Sequence, residues 1–404
     1  MVPILPTFQE RFTGWGRPEK LLSLNWKRKK IMKQTASLET AEHVLPGHPD
    51  KLCDASVDAI VDFLRHRDPR AQCGLEMACV FDKVVITGRI AAKEEAISDF
   101  NAEGGCSKFI RKAYRDAGYG SDHAGVIWGP IPEQLQISEH LCLGAFAEEE
   151  SELRHLSDDQ AICVGYARAD PSTNYLPPAA WLSRAIAWEL FNIRKEYDFG
   201  EMGPDGKVLV RVEKKGTEWK PVHVSLSLSH HEESDWLMLR CFAETAVEKA
   251  CEGLAMPKIS LNGAGMFISV GPNGDNGLSG KKLVADAYGP TIPIGGGAWS
   301  GKDLHKVDRL GGLLSRKLAN QIILDTNAEE ALVQLEYQPG SEKPAAAVAR
   351  INGQNESICV DKLLHGLKLN NENVWQWFST CQTPLDELAR WGHQQPGTPW
   401  ELEV

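Results

Sequence analysis

The sequence predicts an α+β fold, in which helices and strands are mixed without regular alternation. Apolar residues recur at helical spacing after residue 50, and they alternate in strand fashion at 222–229. The order of these segments follows no strict βαβ rhythm, which disfavours a doubly wound sheet. With 404 residues, 42% of them hydrophobic, the chain is long enough for two or three domains.

The first strong element is a predicted helix that opens at Gly47. Pro49 stands where a proline is tolerated in a first helical turn, and Asp50 suits the positive end of a helix. Apolar residues then keep a helical spacing until Asp68 and Pro69, which end the element.

Further elements follow along the chain. Strands are predicted at 75–81, 84–90, 208–212, 222–229, 259–261, 332–337 and 346–351, and helices within 94–117 and at 179–197, 236–251 and 306–322. Residues 129–158 lack periodicity, so we expect a long loop there that covers another part of the molecule.

Composition restricts the class of protein. The net charge of −11 argues against general recruitment of nucleic acid or an anionic membrane. The ten cysteines show no C-x-x-C pair and no zinc-type spacing, which is typical of reduced thiols in the cytoplasm. No apolar run approaches the roughly 18 residues of a membrane helix. We therefore expect a cytoplasmic protein with no nucleic-acid or membrane partner.

Residues 1–34 differ from the rest because they are strongly basic, with the cluster Lys-Arg-Lys-Lys at 27–30. Serine is sparse and no small-residue cleavage site is visible, which favours a flexible basic extension over a targeting peptide. Initiation of translation at Met32 is a further alternative.

A glycine-rich stretch at 295–303 ends in Gly301, Lys302 and Asp303. Its spacing fits a phosphate-binding P-loop except at the last position, where Asp303 replaces the Ser or Thr that reaches magnesium. Pro290 and Pro293 also argue against a preceding central strand. Bare backbone N–H groups beside an ammonium nevertheless suit an anion.

Residues 271–282 carry a glycine at every third position and end in Lys281 and Lys282. The stretch lacks the helix-opening context of a dinucleotide fingerprint. Ordinary turns would be enough to explain the glycines, if the lysines were left aside. Paired lysines followed by a second glycine and lysine loop favour a polyphosphate cradle.

Three polar groups have both structural and functional interpretations. His48 and Asp50 at a helix start form either an N-terminal cap or part of a site. The charges from Lys302 to Arg309 form either a solvated helix face or a site. The pair at 230–231, His-His, has no partner at metal-ligand spacing, so a polar strand end is the simpler interpretation.

Together these stretches resemble the S-adenosylmethionine synthetases. Residues 47–51 resemble the opening signature of that family, 295–303 its glycine-rich signature, and 271–282 the segment between them. Further matches lie at 159–160, 165–167, 204–207 and 392–401, and the similarity runs in order from about residue 37 to 404. Trp299 stands where the family usually has Phe.

The resemblance implies an activity. Family members attack C5′ of ATP with the thioether sulfur of methionine, expel triphosphate, and hydrolyse it to pyrophosphate and phosphate. Such chemistry needs positioning and preorganised cations rather than a general base. By this resemblance His48 would contact the bridging oxygen, and Lys207, Lys281 and Lys302 would bind the triphosphate. The remaining ATP-binding residues would be Asp159, Asp205, Phe267 and Lys282.

The resemblance also implies metals and an acceptor site. Asp50 and Asp308 would hold Mg²⁺ through oxygen ligands, and Glu76 would be the K⁺ site carboxylate. The acceptor-binding positions would be Arg89, Gln134, Asp275 and Lys306.

The implied fold is three similar domains of mixed sheet plus helices. We place them at 35–137, 138–257 and 258–404, after the extension at 1–34. Family active sites lie between subunits, so a homodimer or a dimer of dimers is implied. Residues 129–150 would correspond to the mobile lid of the family.

The chain departs from the family pattern mainly around the acceptor and adenine. Arg89 stands where the family has a Glu that pairs with the ammonium of methionine, and an arginine there would repel an ammonium. Met266, Arg184, Ile294 and the pair 157–158 are further departures, and Lys281 replaces the usual Arg.

These departures leave alternatives open. A thioether that carries a carboxylate but no free ammonium would suit Arg89. Alternatively, Arg89 points away and another carboxylate such as Asp275 binds the ammonium of methionine. A triphosphatase without alkyl transfer and an inactive regulatory paralogue in mixed oligomers are the other two interpretations.

Overall fold

The computed structural model describes residues 36–121, 125–197, 200–356 and 370–402. The predicted basic extension at 1–34 lies outside the described residues. In chain order, the α-helices of the described ranges are α1 (Pro49–Arg67), α2 (Glu94–Ala102), α3 (Gly105–Ala117), α4 (Glu148–Glu152), α5 (Pro178–Tyr197), α6 (Trp236–Ala250), α7 (Leu283–Asp286), α8 (Val307–Thr326), α9 (Asn371–Phe378) and α10 (Leu385–Trp391).

The strands are numbered in the same way. They are β1 (Ser37–Val44), β2 (Gln72–Val80), β3 (Lys83–Ala91), β4 (Gly120–Ser121), β5 (Ile127–Trp128), β6 (Gln136–Gly144), β7 (Ala161–Arg168), β8 (Gly206–Lys215), β9 (Glu218–Leu228), β10 (Lys258–Leu261), β11 (Gly277–Leu278), β12 (Glu330–Tyr337), β13 (Ala346–Ile351) and β14 (Gln354–Glu356).

Helix α1 follows the sequence signals closely. His48 is its N-cap, Pro49 opens the first turn, and Asp68 is the C-cap. Most side chains of the helix are buried, so it runs through the interior rather than along the surface.

Three four-stranded sheets share one pattern. Their strand orders are β1-β8-β9-β10 in sheet 1, β11-β2-β3-β6 in sheet 2 and β7-β12-β13-β14 in sheet 3. Each contains an antiparallel hairpin, flanked on one side by an antiparallel strand from a distant part of the chain. The opposite edge strand is parallel in sheets 1 and 2 and antiparallel in sheet 3.

This pattern comes from a repeat of strand, long helix and hairpin. The three repeats are β1-α1-β2-β3, β7-α5-β8-β9 and β11-α8-β12-β13. The first strand of each repeat pairs with the hairpin of another repeat: β1 with β8, β7 with β12, and β11 with β2. The fold is therefore α+β with three similar units, as predicted. The domain boundaries at 137 and 257 stay a prediction.

One expectation about local structure was wrong. Residues 129–158 are not a single long loop, because β6 pairs in parallel with β3 from Gln136 to Gly144 and α4 follows. Most side chains of β6 are exposed or only partly buried, so the strand shows no apolar alternation. Backbone hydrogen bonds to β3 define it instead. The predicted helix within 94–117 is also interrupted, since Gly104 adopts a left-handed conformation with φ 99° between α2 and α3.

Each sheet has one face against a long helix. Helix α5 packs on sheet 1, α1 on sheet 2 and α8 on sheet 3. The opposite faces carry exposed apolar side chains, among them Leu38 at 66% exposure, Val85 at 42%, Ile162 at 55% and Val348 at 42%. Apolar side chains on all three sheets thus remain uncovered in a single chain.

The described cysteines are free thiols, and the sulfurs of the neighbouring pair Cys53 and Cys79 lie 3.6 Å apart without a bond. Within the described ranges, no helix combines the length and apolarity needed to span a bilayer.

Candidate active site

His48 caps α1 with its side chain. Its Nδ1 accepts a hydrogen bond of 3.2 Å from the backbone N–H of Asp50. Burial, followed by the positive charge of Lys282, lowers the pKa of His48 to about 4. The imidazole is therefore neutral at pH 7. Because Nδ1 accepts, the ring proton resides on Nε2, which can donate to a ligand.

Asp50 is fully buried beside His48. Its Oδ1 accepts from the N–H of Leu278 at 2.9 Å, and its Oδ2 lies 2.8 Å from Nζ of Lys282. Burial opposes ionisation, but the Lys282 ammonium and the Leu278 N–H hold the pKa of Asp50 below its usual value. Nζ of Lys281 lies 3.8 Å from Asp50 Oδ1. We call His48, Asp50, Lys281 and Lys282 the first cluster.

Three aspartates on α1 hold the two glycine-rich stretches in place. Asp50, Asp54 and Asp58 follow one another at four-residue spacing and so share a helix face. Asp54 Oδ1 accepts from the N–H of Gly280 at 2.7 Å, and Asp58 Oδ1 from that of Gly301 at 2.9 Å. The helix thereby positions both lysine-bearing stretches.

Buried cations balance these aspartates. Lys51 Nζ lies 3.6 Å from Asp54 Oδ2, and Arg309 forms a two-pronged pair with Asp58 at 2.8 and 2.5 Å. Burial raises the pKa of Asp54 to about 7, although Lys51 opposes this. The carboxylates are structural groups behind the site.

Asp205 secures the start of the 271–282 stretch. It is 5% exposed, and its Oδ2 accepts from the N–H of Gly271 at 3.1 Å. Burial raises the pKa of Asp205 to about 7. Gly271 has φ 53°, and a Cβ there would lie 1.7 Å from the hydroxyl of Tyr119, so only glycine fits.

Lys207 lies near the first cluster at the beginning of β8. Its Nζ is 3.4 Å from Glu42 Oε2 on the neighbouring strand β1, and its side chain is 43% exposed. The positive charges of Lys282 and Lys207 both lower the pKa of His48, whereas the charge of Asp275 raises it. Both Lys207 and Asp275 therefore act on this imidazole.

A second cluster forms where α8 begins. Lys302, at the end of the 295–303 stretch, donates to Asp308 in the first turn of α8. Lys306, the N-cap residue, donates to Asp158. We call Lys302, Lys306, Asp308 and Asp158 the second cluster. A Cβ at Gly297 would lie 2.0 Å from Asp308 Oδ1, so the glycine stretch touches the carboxylate.

Arg89 is paired within the chain. Its Nε and Nη2 donate to the two carboxylate oxygens of Glu150 at 3.0 and 2.8 Å, and Nη2 also donates to the carbonyl of Ala145. Hydrogen bonding from Arg89 lowers the pKa of Glu150 to about 2, and the charge of Lys306 contributes to the shift. The pair thus lies beside the second cluster.

The remaining predicted site residues lie apart from these contacts. Glu76 is exposed on the outer face of sheet 2, opposite Thr87. Gln134 is exposed at the end of a short 3-10 segment, and Asp159 is exposed beside Asp158. Phe267 is partly buried, and its N–H donates to Nε2 of His230 at 3.1 Å.

The predicted residues thus fall into two clusters and several separate positions. Throughout the part of the chain that the structure describes, no hydrogen bond or ion pair joins a side chain of the first cluster to one of the second. Glu76, Gln134, Asp159 and Phe267 also make no such bond to either cluster within these ranges. Their roles stay predictions.

The two predicted magnesium ligands differ in how many of their carboxylate oxygens are already bonded within the chain. Among the described residues, no three His, Cys, Asp or Glu side chains lie close enough together to hold a metal. Both oxygens of Asp50 are already engaged, whereas Asp308 pairs with Lys302 through Oδ2 and is 18% exposed. Mg²⁺ usually takes one or two carboxylates together with substrate phosphates, so Asp308 fits it and Asp50 fits less well.

Sequence reasoning missed residues that build the site. Asp54 and Asp58 share a face with Asp50, and their four-residue spacing in an apolar helix is a visible signal. Glu150 is one of three consecutive glutamates, and nothing in the sequence distinguishes it as the partner of Arg89.

Comparisons with known proteins agree with this architecture. Three family models match successive parts of the chain: the N-terminal domain of S-adenosylmethionine synthetase at 36–139, its central domain at 155–273 and its C-terminal domain at 269–402. Together they span most of the chain, and they define an enzyme of the transferase class. The chain belongs to the S-adenosylmethionine synthetase family.

Relatives of similar length support this. The S-adenosylmethionine synthase of Methylobacterium radiotolerans is 32% identical over 380 residues, which cover 90% of this chain and 93% of the relative. That of Methylorubrum populi is 32% identical over 394 residues, covering 92% and 97%. A solved structure, titled as an unusual S-adenosylmethionine synthetase from Campylobacter jejuni, has the same fold, with a TM-score of 0.78, 24% identity and coverage of 90% and 96%.

Proposed function

We propose that this chain forms S-adenosylmethionine from ATP and L-methionine, and that it hydrolyses the released triphosphate to pyrophosphate and phosphate. In the first step the sulfur–C5′ bond forms and the C5′–O bond breaks, with the electron pair remaining on the triphosphate oxygen. Water then cleaves the triphosphate. The single observation that carries the proposal is the first cluster, where a neutral imidazole and two lysines gather around Asp50 at a helix N-terminus.

His48 suits the departing oxygen. With Nδ1 bound to the N–H of Asp50, the Nε2–H is left to donate to the bridging oxygen as negative charge develops there. A neutral donor with a pKa of about 4 keeps this form throughout the neutral range. The N-terminus of α1 adds positive potential at the same point.

Lysines from separated stretches would bind the polyphosphate. The charges of Lys207 and Lys282 act on His48, Lys281 lies 3.8 Å from the neighbouring Asp50, and Lys302 extends from the second glycine stretch. On binding, phosphate oxygens would compete with Asp50 and Asp308 for these ammonium groups. Mg²⁺ would be held by Asp308, with Asp50 as the second candidate, and would supply charge neutralisation on the phosphate oxygens. Glu76 stays the candidate for K⁺.

We propose that the two clusters complete one another between subunits of a homodimer. Within the described residues no side-chain bond joins them, and the outer faces of the three sheets carry uncovered apolar residues. A homodimer whose two-fold axis passes through these faces would bury the apolar residues. Arg89 and Glu76 lie on this same face of sheet 2, so a partner would approach them directly.

The pairing of Arg89 favours methionine as the acceptor. The Glu150 carboxylate accepts hydrogen bonds from both Nε and Nη2 of Arg89. The positive charge of Arg89 is therefore already compensated in the free chain. Asp275 is exposed and acts on His48, which makes it the better candidate to bind the ammonium. A thioether without an ammonium remains the second candidate acceptor, because Glu150 could release Arg89 to a carboxylate.

The test is to incubate the purified full chain with ATP, Mg²⁺, K⁺ and L-methionine. We expect S-adenosylmethionine, pyrophosphate and phosphate in equal amounts, with Asp308→Asn strongly impaired. The matched control is Lys112→Gln, an exposed position outside both clusters. Hydrolysis of added triphosphate without a sulfonium product would indicate a triphosphatase instead. No turnover, together with copurification of an active synthetase, would indicate a regulatory paralogue.

A further inference from the structure

A cavity of about 510 Å³ opens at a place that the proposed reaction does not use. It lies between α5, α10 and the segment at 394–396, and none of the residues of the two clusters lines it. Three indole rings form much of its wall. They belong to Trp181, Trp188 and Trp391, and the ring centroids of Trp188 and Trp391 lie 4.9 Å apart at 74°.

Arg184 lines this cavity and is 9% exposed. Its Nη2 donates to the carbonyl of Asp286 at 3.0 Å, and its Nη1 to that of Gln394 at 3.4 Å. Its buried Nε has no hydrogen-bond partner among the described residues. Within the described residues, no carboxylate lies within 4.0 Å of this guanidinium.

The nearest carboxylates are occupied by other cations. Asp286 pairs with Lys51, and Glu401 forms a two-pronged pair with Arg316 at 2.8 and 2.5 Å. Burial lowers the pKa of Arg184 to about 10, against the opposing charge of Asp286. A cation buried without its own anion is costly, and an anion brought to it would remove that cost.

A second buried polar atom lies at the same cavity. Asn174 lines it at 7% exposure, and its Nδ2 donates to the carbonyl of Gln394 at 3.1 Å. Its Oδ1 has no partner in the described part of the chain. Buried polar atoms are nearly always satisfied, so the unpaired donor of Arg184 at this cavity indicates a ligand that carries an acceptor. Asn174 Oδ1 needs a donor, which a water molecule beside the ligand would supply.

The wall and the rim select the kind of ligand. Indole faces favour a flat, apolar body. At the rim, Glu252 and Glu387 carry negative charge, whereas Glu189 lies 3.8 Å from Lys249. These carboxylates disfavour a ligand with several negative charges, such as a phosphate monoester. One buried arginine suits one carboxylate.

We propose that this cavity binds a small planar aromatic monocarboxylate, with the carboxylate on Arg184 and the ring between the tryptophans. The proposal does not depend on the proposed reaction, because the cavity and the two clusters share no residue.

The test uses 1-naphthoate as the probe and tryptophan fluorescence of the full chain as the readout. We expect saturable quenching below about 1 mM, a modest affinity for a ligand of this size. Ala185→Leu would fill the cavity from α5 and weaken binding at least about tenfold. Ala102→Leu, an exposed helix position away from the cavity, is the matched control and should bind as the wild type does.

Charge recognition is tested separately with Arg184→Gln and with 1-naphthalenemethanol, the uncharged counterpart of the probe. The variant should lose about tenfold in affinity for 1-naphthoate and keep its affinity for the alcohol, which also shows that the cavity is still formed. Absence of saturable binding to the wild type, or equal binding to Ala185→Leu, would overturn the proposal. Equal losses for acid and alcohol in Arg184→Gln would overturn the assignment of the carboxylate.

Discussion

At the scale of single residues, His48 combines a structural and a chemical function. It caps α1 through Nδ1, and its buried ring is held neutral by desolvation and by Lys282. These functions can be separated, because Asn is a good N-cap residue but has no imidazole.

We therefore predict that His48→Asn retains stability and loses activity. Its urea midpoint should stay near that of the wild type, whereas His48→Ala should lose about 1 kcal/mol of unfolding free energy with the cap. Turnover should fall by about 10²-fold in both variants, since both lack the Nε2 donor. Wild-type turnover by His48→Asn would show that the imidazole only caps the helix.

Asp205 gives a prediction about pH. Burial raises its pKa in the folded state to about 7, above the usual value of 3.8. At pH values between these two pKa values, the folded chain keeps a proton on Asp205 that the unfolded chain has released. The contribution of Asp205 to the free energy of unfolding is therefore lost as the pH rises through this range. Asp205→Asn removes this dependence.

The urea unfolding free energies of Asp205→Asn and wild type should accordingly be compared at pH 5 and pH 8. Relative to that of Asp205→Asn, the unfolding free energy of the wild type should be about 2–3 kcal/mol lower at pH 8 than at pH 5. Comparing two pH values cancels the constant loss of the hydrogen bond to Gly271. A difference independent of pH would mean that Asp205 is ionised at pH 5.

At the scale of elements, the 295–303 stretch fixes the position of Asp308. We predict that Gly297→Ala lowers turnover at least about tenfold, because its Cβ would meet Asp308 Oδ1 at 2.0 Å and displace the carboxylate. Gly296→Ala is the matched control, since a Cβ there meets no atom of the described residues within 4 Å. Steady-state kinetics of both variants make the comparison. Equal activity of the two would place Asp308 outside the reaction.

The individual helices and strands also show which parts of the structure the sequence could predict. Helix α1 was predictable because a proline, a cap and a regular apolar face all indicated it. Strand β6 was not, because an exposed edge strand is defined by backbone pairing with β3 rather than by its side chains. The pairing of Arg89 with Glu150, 61 residues away, depends on where β6 brings α4, so no local pattern could indicate it.

At the scale of the molecule, the proposal that the two clusters complete one another between subunits predicts complementation between variants. Asp308→Asn and His48→Asn disable different clusters, so neither variant should be active alone. If each site takes one cluster from each subunit, a mixed dimer has one intact site, and random mixing should restore about a quarter of wild-type turnover. The measurement is activity after joint refolding or coexpression of the two variants. No recovery, although mixed dimers form, would place each site within one chain.

The exchange of strands among the three repeats has a consequence for biosynthesis. Strand β1 emerges from the ribosome early, but its partner β8 is at least 160 residues further along the chain. At about 5–20 residues per second, that interval lasts roughly ten to thirty seconds. Sheet 1 is complete only after β10, sheet 2 only after β11 and sheet 3 only after β14, so no sheet can close before Leu261 has been translated. Nascent chains stalled in the central repeat should therefore depend on chaperones.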